Sequence, residues 1–212
     1  MGAGKEEIVV VGGGGHSKVL ISLLKKAGYE VVGYTDRTDR GAILGVGYLG
    51  DDTVLGDFPG RGRPNAVIGI GKVDASPVRL DRQRALRAGG FAFPVISSPQ
   101  AVINEDVVVG AGTVLMDRVV VNSGTVIGEA SILNTGSTVE HDCRVGDNVH
   151  IASGATLAGG VTIGDHCMIG MGCNVIQLVT IGAGCIIGAG ATVVRDLSEP
   201  GTYVGSPAKR VH

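Results

Sequence analysis

Histidine is scarce in this chain of 212 residues: five occur, and His212 is terminal. One of the others, His141, stands between two carboxylates in Thr138-Val139-Glu140-His141-Asp142-Cys143. An imidazole titrates near neutral pH, so it suits removal of a proton from an amine or hydroxyl as that group attacks a thioester carbonyl. A carboxylate beside it, Asp142 or Glu140, would orient the ring and raise its basicity. The oxyanion formed in such an attack needs backbone N–H donors reached without side-chain obstruction, and Gly159-Gly160 follows His141 by 18 residues. A zinc site is the competing chemistry. His141, His150 and His166 occupy three different phases of a six-residue period, which argues against three ligands on one face, and no metal is expected.

The period matters because it decides what meets what. Stepping by six from Ile103 gives Val109, Leu115, Val121, Ile127 and so on to Ile187 and Val193, and all sixteen positions are aliphatic. With roughly half of residues apolar in an average chain, chance yields such a run far less than about once in a thousand sequences. A period of six fits neither an amphipathic helix nor a simply alternating strand. It fits a flat-sided solenoid, in which short strands and tight corners stack coil upon coil and no coil buries its apolar face alone. The pattern resembles the hexapeptide-repeat acyltransferases, and that resemblance implies three six-residue sides to one triangular coil, which would stack His141 and Gly159 on successive coils and make about five coils of sixteen sides. Two residues before each aliphatic runs a register of small or β-branched residues, among them Ala101, Thr113, Thr125, Ser131 and Ala155, and Gly often follows the aliphatic, as at Gly110, Gly128 and Gly146. Cys143, Cys167, Cys173 and Cys185 all fall in the small register and form no CxxC pair, so they read as buried reduced thiols. His141 lies two residues after Val139 and leaves the inward registers.

Ahead of the repeat, Ile8-Val9-Val10-Val11 forms a buried-strand pattern that runs into Gly12-Gly13-Gly14-Gly15-His16-Ser17. Val19, Leu20, Leu23, Leu24 and Ala27 recur at helical spacing, Gly28 closes that helix, and Val31 to Tyr34 forms a second strand ending at Asp36. The Gly run thus opens a helix in a βαβ unit, where free N–H groups favour a phosphate. As a dinucleotide fingerprint it is incomplete, with Gly12 and Gly14 but Ser17 in the third place, while Asp36 lies where an acid for a ribose or base edge is expected. A third strand is expected over Ala66–Ile70 and a helix over Val78–Ala88; Arg40–Pro64 reads as loops and one poor strand. The expected division is a Rossmann-like α/β domain over 1–96 and a solenoid domain over 97–212.

Composition narrows the partners. Apolar residues make up 44% of the chain, aromatics 3%, and Trp is absent, so the core must be built from aliphatics. A net charge of −2 with scattered Lys and Arg gives no stripe for nucleic acid and no polybasic membrane anchor. The start, Met1 to Glu6, lacks a signal-peptide pattern, Glu6 spoils a myristoylation signal, and no apolar run approaches the roughly 18 to 20 residues of a membrane span. The expectation is a soluble cytoplasmic protein with a small-molecule partner.

Taken together, GGGGH after the first strand, Asp36 after the second, Asn134-Thr135-Gly136, Glu140-His141-Asp142, Ala158-Gly159-Gly160 and the closing Gly205-Ser206-Pro207-Ala208-Lys209 resemble the sialic acid O-acetyltransferase-like hexapeptide-repeat family. Within it, the set is most similar to nucleotide-4-amino-sugar N-acetyltransferases that make UDP-bacillosamine or GDP-perosamine derivatives in glycan biosynthesis. The resemblance implies a left-handed parallel β-helix, acetyl-CoA as cosubstrate, and a homotrimer with acetyl-CoA between neighbouring β-helices. It implies His141 as base on the sugar C4 amine of a 4-amino-4,6-dideoxy sugar, with Asp142 raising its basicity. For acetyl-CoA it implies His150 and the Gly159 amide at the acetyl carbonyl, Met171 and Ala189 along the pantetheine arm, and Lys209 or Arg210 at CoA phosphates. Gly14, Gly15, His16, Asp36, Arg37 and Gly71 match its nucleotide-sugar pocket, with a UDP-sugar favoured over a GDP-sugar. Lys72 and an apparent short insertion before Arg79, Ile96-Ser97-Ser98-Pro99 where an Ile-His-Pro entry is common, and Gln177-Leu178 where a Pro-Gly turn is frequent, depart from the pattern. O-acetylation of a sialic acid or similar sugar and a non-catalytic nucleotide-sugar scaffold are the alternatives.

Overall fold

The computed structural model describes residues 5–56 and 65–211. The expectations for Met1–Gly4, for 57–64 within the loop stretch and for His212 lie outside the described residues.

The first unit is a parallel sheet in the order β3-β2-β1-β4, formed by β1 (Glu7–Val11), β2 (Glu30–Thr35), β3 (Tyr48–Gly50) and β4 (Asn65–Ile68). Ile8, Val9, Val10 and Val11 are at most 1% exposed, which accounts for an unbroken apolar run where alternation would serve a half-exposed strand. Helix α1 (Gly15–Lys26) crosses from β1 to β2, burying Leu20, Ile21, Leu23 and Leu24 and keeping Lys25 and Lys26 at the negative end of its dipole. Helix α2 (Val78–Ala88) has the predicted bounds. Strand β4 ends two residues before the predicted Ile70. At Gly69, whose N–H still donates to Val11 O (2.8 Å), the chain approaches Ser17 so closely that a Cβ there would lie 2.3 Å from Ser17 Oγ.

The remainder is a parallel β-solenoid built mostly of two-residue strands that pair with strands 18 residues away, as Thr138 with Thr156 and His150 with Met168. At its end Cys185–Ile187 pairs onward with Gly201–Val204, which pairs antiparallel with Lys209–Arg210. Three faces result. The first carries Val114, Ile132, His150, Met168 and Ile186 outward, the second Thr138, Thr156, Asn174 and Thr192, and the third Arg144, Thr162 and Thr180. From Leu115 to Val193 the aliphatic phase is buried throughout, whereas Ile103 and Val109, in the opening coil, are partly exposed.

Corners are made by a phase the sequence reading did not single out. Every sixth residue from Asp106 to Gly190 has a positive φ, including Asp142 (59°), His166 (63°) and Leu178 (61°). Glycines that follow the aliphatics serve a different purpose, because a Cβ on Gly128 would lie 2.6 Å from the Gly146 carbonyl carbon of the next coil. Gly128→Ala should therefore destabilise the protein by about 3 kcal/mol, read from the urea midpoint, since rigid backbone cannot yield to the methyl. A loss under about 0.5 kcal/mol would show that the coils separate freely.

The four cysteines are free and buried. The small register proves to be a ladder of donors to the carbonyl fifteen residues on: Thr113 Oγ1 to Gly128 O (2.7 Å), Thr125 Oγ1 to Glu140 O (2.8 Å), Cys143 Sγ to Ala158 O (3.3 Å) and Cys167 Sγ to Gly182 O (3.0 Å). Burial pushes the Cys167 and Cys173 thiols up to about 12.

The α/β unit lies on the first face. Leu20, Leu23 and Leu24 of α1 share one apolar cluster with Val114 and Met116, and Val114 and Ile132 are fully covered. Polar contacts flank this seam: Lys26 to Asp117 (2.5 Å), Gln83 Nε2 to Ala111 O (2.8 Å) and Arg87 to Glu129 (2.8 Å). Among the described residues no helix is long and apolar enough to cross a membrane.

Candidate active site

His141 stands at the corner between the second and third faces, its side chain 65% exposed. The left-handed turn at Asp142, closed by its N–H donating to Ser123 O (3.0 Å), swings that carboxylate back so that Oδ2 lies 2.8 Å from His141 Nδ1. With Nδ1 donating to the carboxylate, Nε2 carries the lone pair. Glu140 is engaged elsewhere, accepting from Asn122 Nδ2 at 2.7 Å, so of the two neighbouring carboxylates Asp142 is the one on the ring. One coil on, Gly159 lies against the imidazole: a Cβ there would sit 2.6 Å from Nε2. The Gly160 N–H donates to His141 O (2.9 Å), which removes it from the pair of oxyanion donors expected from sequence and leaves that of Gly159.

Of the six residues expected at a nucleotide sugar, Asp36 and Arg37 line an open cleft of about 510 Å³ together with Gly12, Asp52 and Arg82, the last two paired with each other, while Gly71 lines a neighbouring cavity. Gly14 precedes α1 without a side-chain cap, and a Cβ on Gly14 or Gly15 would meet nothing within 4 Å, so space for a ligand lies over the helix start. Asp36 accepts from the Gly13 N–H (2.7 Å) and the Thr38 N–H (3.1 Å). Burial would raise its carboxyl, but those amides and Arg40 outweigh it and hold the group below its ordinary value. Ser17 explains the broken fingerprint. Its buried hydroxyl sits within hydrogen-bond distance of Gly12 O (2.6 Å) and Gly69 O (3.0 Å), tying together the ends of β1 and β4 where the fingerprint calls for Gly.

His150 projects from the first face, 8% exposed beneath the α/β unit. Its Nδ1 donates to Lys72 O (2.7 Å), so Nε2 accepts from Asn134 Nδ2 (3.2 Å), and burial lowers its affinity for a proton. Met171, 63% exposed, lines a groove of about 600 Å³ along the corner between the first and second faces, with Thr135 and Ser153. Ala189 is exposed on the same corner one coil further, and Lys209 is exposed on the last strand. Arg210 is held by Glu199 (2.5 Å), which leaves Lys209 the better placed of the two for a phosphate.

Residues 7–76 match the PglD N-terminal domain, and 124–159 and 160–195 each match the bacterial transferase hexapeptide (six repeats). The H141A mutant of GDP-perosamine N-acetyl transferase from Caulobacter crescentus, in complex with CoA and GDP-perosamine, is 38% identical with a TM-score of 0.92, the match covering 97% of each chain. The chain belongs to the PglD-type hexapeptide-repeat acetyltransferases. The acetyltransferase domain of PglB from Neisseria gonorrhoeae FA1090 is 32% identical (TM-score 0.91; 98% of this chain, 100% of that one), and WeeI from Acinetobacter baumannii AYE is 27% identical (TM-score 0.87; 98% and 100%). No curated protein matches.

In this acetyltransferase the fold sets the two halves of the site apart. The His141 corner is the vertex opposite the first face, and the α/β unit covers that first face. One chain therefore presents His141 and the cleft at Asp36 on different edges. The structure brings His141, Asp142 and Gly159 together, and separately Asp36, Arg37 and the Gly loop, but it does not bring His150 to His141.

His16 gives a test of packing at the cleft. Burial, then Arg79 and His150, push it from 6.5 down to about 3. In the unfolded chain the ring takes a proton below about pH 6.5, in the folded protein only near pH 3, so this contribution is complete above 6.5 and is lost as pH falls. Unfolding should cost about 2 kcal/mol less at pH 5 than at pH 7.5 on this account. His16→Gln should flatten the pH dependence of the urea midpoint by that amount, and identical slopes in both proteins would count against the burial of His16.

Proposed function

We propose that this chain transfers acetyl from acetyl-CoA to the C4 amine of a nucleotide-linked 4-amino-4,6-dideoxy sugar, with His141 as general base and Asp142 as the carboxylate that orients it. The observation that carries this reading is the His141 ring, fixed by Asp142 and lying over Gly159 on an open corner. The amine nitrogen attacks the thioester carbon while its proton passes to His141 Nε2. The oxyanion faces the Gly159 N–H. As the C–S bond breaks, the imidazolium returns a proton to the CoA sulfur, so atoms and charge balance. His150, Met171, Ala189 and Lys209 are assigned to acetyl-CoA, and Gly14, Gly15, His16, Asp36, Arg37 and Gly71 to the nucleotide sugar. The chain acts as a homotrimer, in which a base and a cleft on different edges of one copy meet those of its neighbours. The 38% identical neighbour described with CoA and GDP-perosamine supports the substrate class.

The test is a thiol-release assay with acetyl-CoA against UDP- and GDP-linked 4-amino-4,6-dideoxy sugars, with a sialic acid as the hydroxyl control. Buried thiols with raised affinity for their protons keep the protein's own cysteines out of that readout. Turnover on an amino sugar establishes the reading and names the base, where sequence favours uridine and the neighbour carries guanosine. Activity confined to the sialic acid would replace it with O-acetylation, and silence on all would leave a binding scaffold.

A further inference from the structure

The corner that holds His141 and Asp142 continues as Gly159-Gly160, Gln177-Leu178 and Arg195-Asp196, each pair one 18-residue coil beyond the last. Leu178 is the odd member. Among the described residues with positive φ at the corners from Asp106 to Gly190, it is the one aliphatic larger than alanine, at φ 61°. That conformation is unfavourable for an L-residue and free for glycine, as at Gly160 directly below (φ 70°). The leucine is nonetheless 77% exposed, so core packing does not account for it. A lone exposed leucine is ordinary on a protein surface, but Ile176 and Val194, one coil apart on the same edge of the second face, are exposed as well. The three form an apolar strip beside the His141 corner.

The Leu178 side chain lies down on the coil below it. Its N–H donates to Gly159 O (3.0 Å), and a Cβ on Gly160 would lie 2.7 Å from Leu178 Cδ2. Apart from the adjoining residues, no other side chain among the described residues comes within 4 Å of that point, so Gln177, Arg195 and Asp196 leave the place to the leucine. The isobutyl group therefore covers the Gly159-Gly160 shelf, and Gly159 also lies against the His141 ring. A thioester whose oxygen meets the Gly159 N–H has the imidazole on one side and this hydrocarbon on another. His141 Nε2 takes a proton from water as it does from an amine. Attack by water would form a C–O bond, break the C–S bond and pass the proton through Nε2 to the sulfur, giving acetate and CoA. Acetyl-CoA held there without a sugar is lost by that route unless water is excluded. We infer that Leu178 is a specificity-determining residue, an apolar roof over the Gly159-Gly160 shelf that keeps water from the thioester so that the amine is acylated instead. The inference rests on the assignment of His141 above and deepens it, because it names what makes the site choose an amine over water.

Thiol release from acetyl-CoA with no acceptor present tests the roof, using the full chain as wild type, Leu178→Gly, Leu178→Asn and Leu178→Met. Leu178→Gly and Leu178→Asn should hydrolyse acetyl-CoA at least about tenfold faster than wild type, while Leu178→Met, which keeps hydrocarbon over the shelf, should stay within about threefold of it. Gly and Asn both suit the left-handed corner, so neither the urea midpoint nor the sedimentation mass should fall. Unchanged hydrolysis in the Gly and Asn variants overturns the inference, and wild-type turnover of an amino sugar alongside would show that the transfer reading survives it. A gain that comes only with a loss of native mass also overturns it, because the strip then serves contact between copies. So does a gain of equal size in Leu178→Met, since apolarity is then not what matters. Adding His141→Ala to Leu178→Gly separates the two readings: a gain that vanishes supports both, and a gain that persists keeps the roof and removes His141 as the base.

Discussion

His141→Ala is expected to lower kcat/KM for the amino sugar by about 10² to 10⁴, the range for a positioned general base, and to leave the melting temperature within about 2 °C. The side chain is 65% exposed and supports no core, so stability and turnover separate cleanly at this position. Asp142→Asn is the companion. Asn tolerates the left-handed backbone that Asp142 adopts at φ 59°, so the corner survives and only the charge beside Nδ1 is lost. A fall of about tenfold in kcat with an unchanged KM for acetyl-CoA would mark Asp142 as a positioning residue. Wild-type turnover in His141→Ala would move the base elsewhere.

Gly159→Ala carries the second large effect. Gly159 does not have a positive φ, so Ala meets no backbone penalty there, yet its Cβ would lie 2.6 Å from His141 Nε2 and 2.7 Å from Cε1. The ring must turn off the carboxylate or away from the incoming amine. Displacement of a reacting atom by about 1 Å lowers turnover by about a hundredfold, and kcat/KM should fall by that amount with the urea midpoint unmoved. A loss smaller than about threefold would mean that the imidazole adopts its working position without this contact.

Both predictions concern residues legible in the sequence, and the reason is geometric. A strict period of six, together with the three-sided coil that the family resemblance implies, converts sequence distance into spatial adjacency, so the 18 residues from His141 to Gly159 read as one coil. The βαβ unit was legible for a similar reason, because the runs Ile8–Val11 and Leu20–Leu24 have the lengths and spacings of their elements. What remained hidden depends on contacts between distant segments. Ser17 reads as a failed fingerprint glycine until β4 is seen beside it. The seam on the first face left a faint trace: from Thr138 onward the other two faces turn Thr, Arg and Asn outward, while the first keeps Met168 and Ile186. His150 falls in that same set, so its burial was foreshadowed by spacing, although its partner Lys72 O was not. Arg79, a landmark after an insertion in the sequence, proves to be a buried cation.

The 18-residue pairing offset restricts how this protein can gain or lose chain. Inserting six residues within the repeat would rotate everything downstream by one face, carrying each later corner to the wrong vertex while leaving the aliphatic phase intact. Such a change between His141 and Gly159 would preserve hydrophobicity and abolish chemistry. Lengths divisible by 18 merely add storeys, so alignments among distant solenoids of this kind should place their gaps in whole storeys, or outside the strands at the corners.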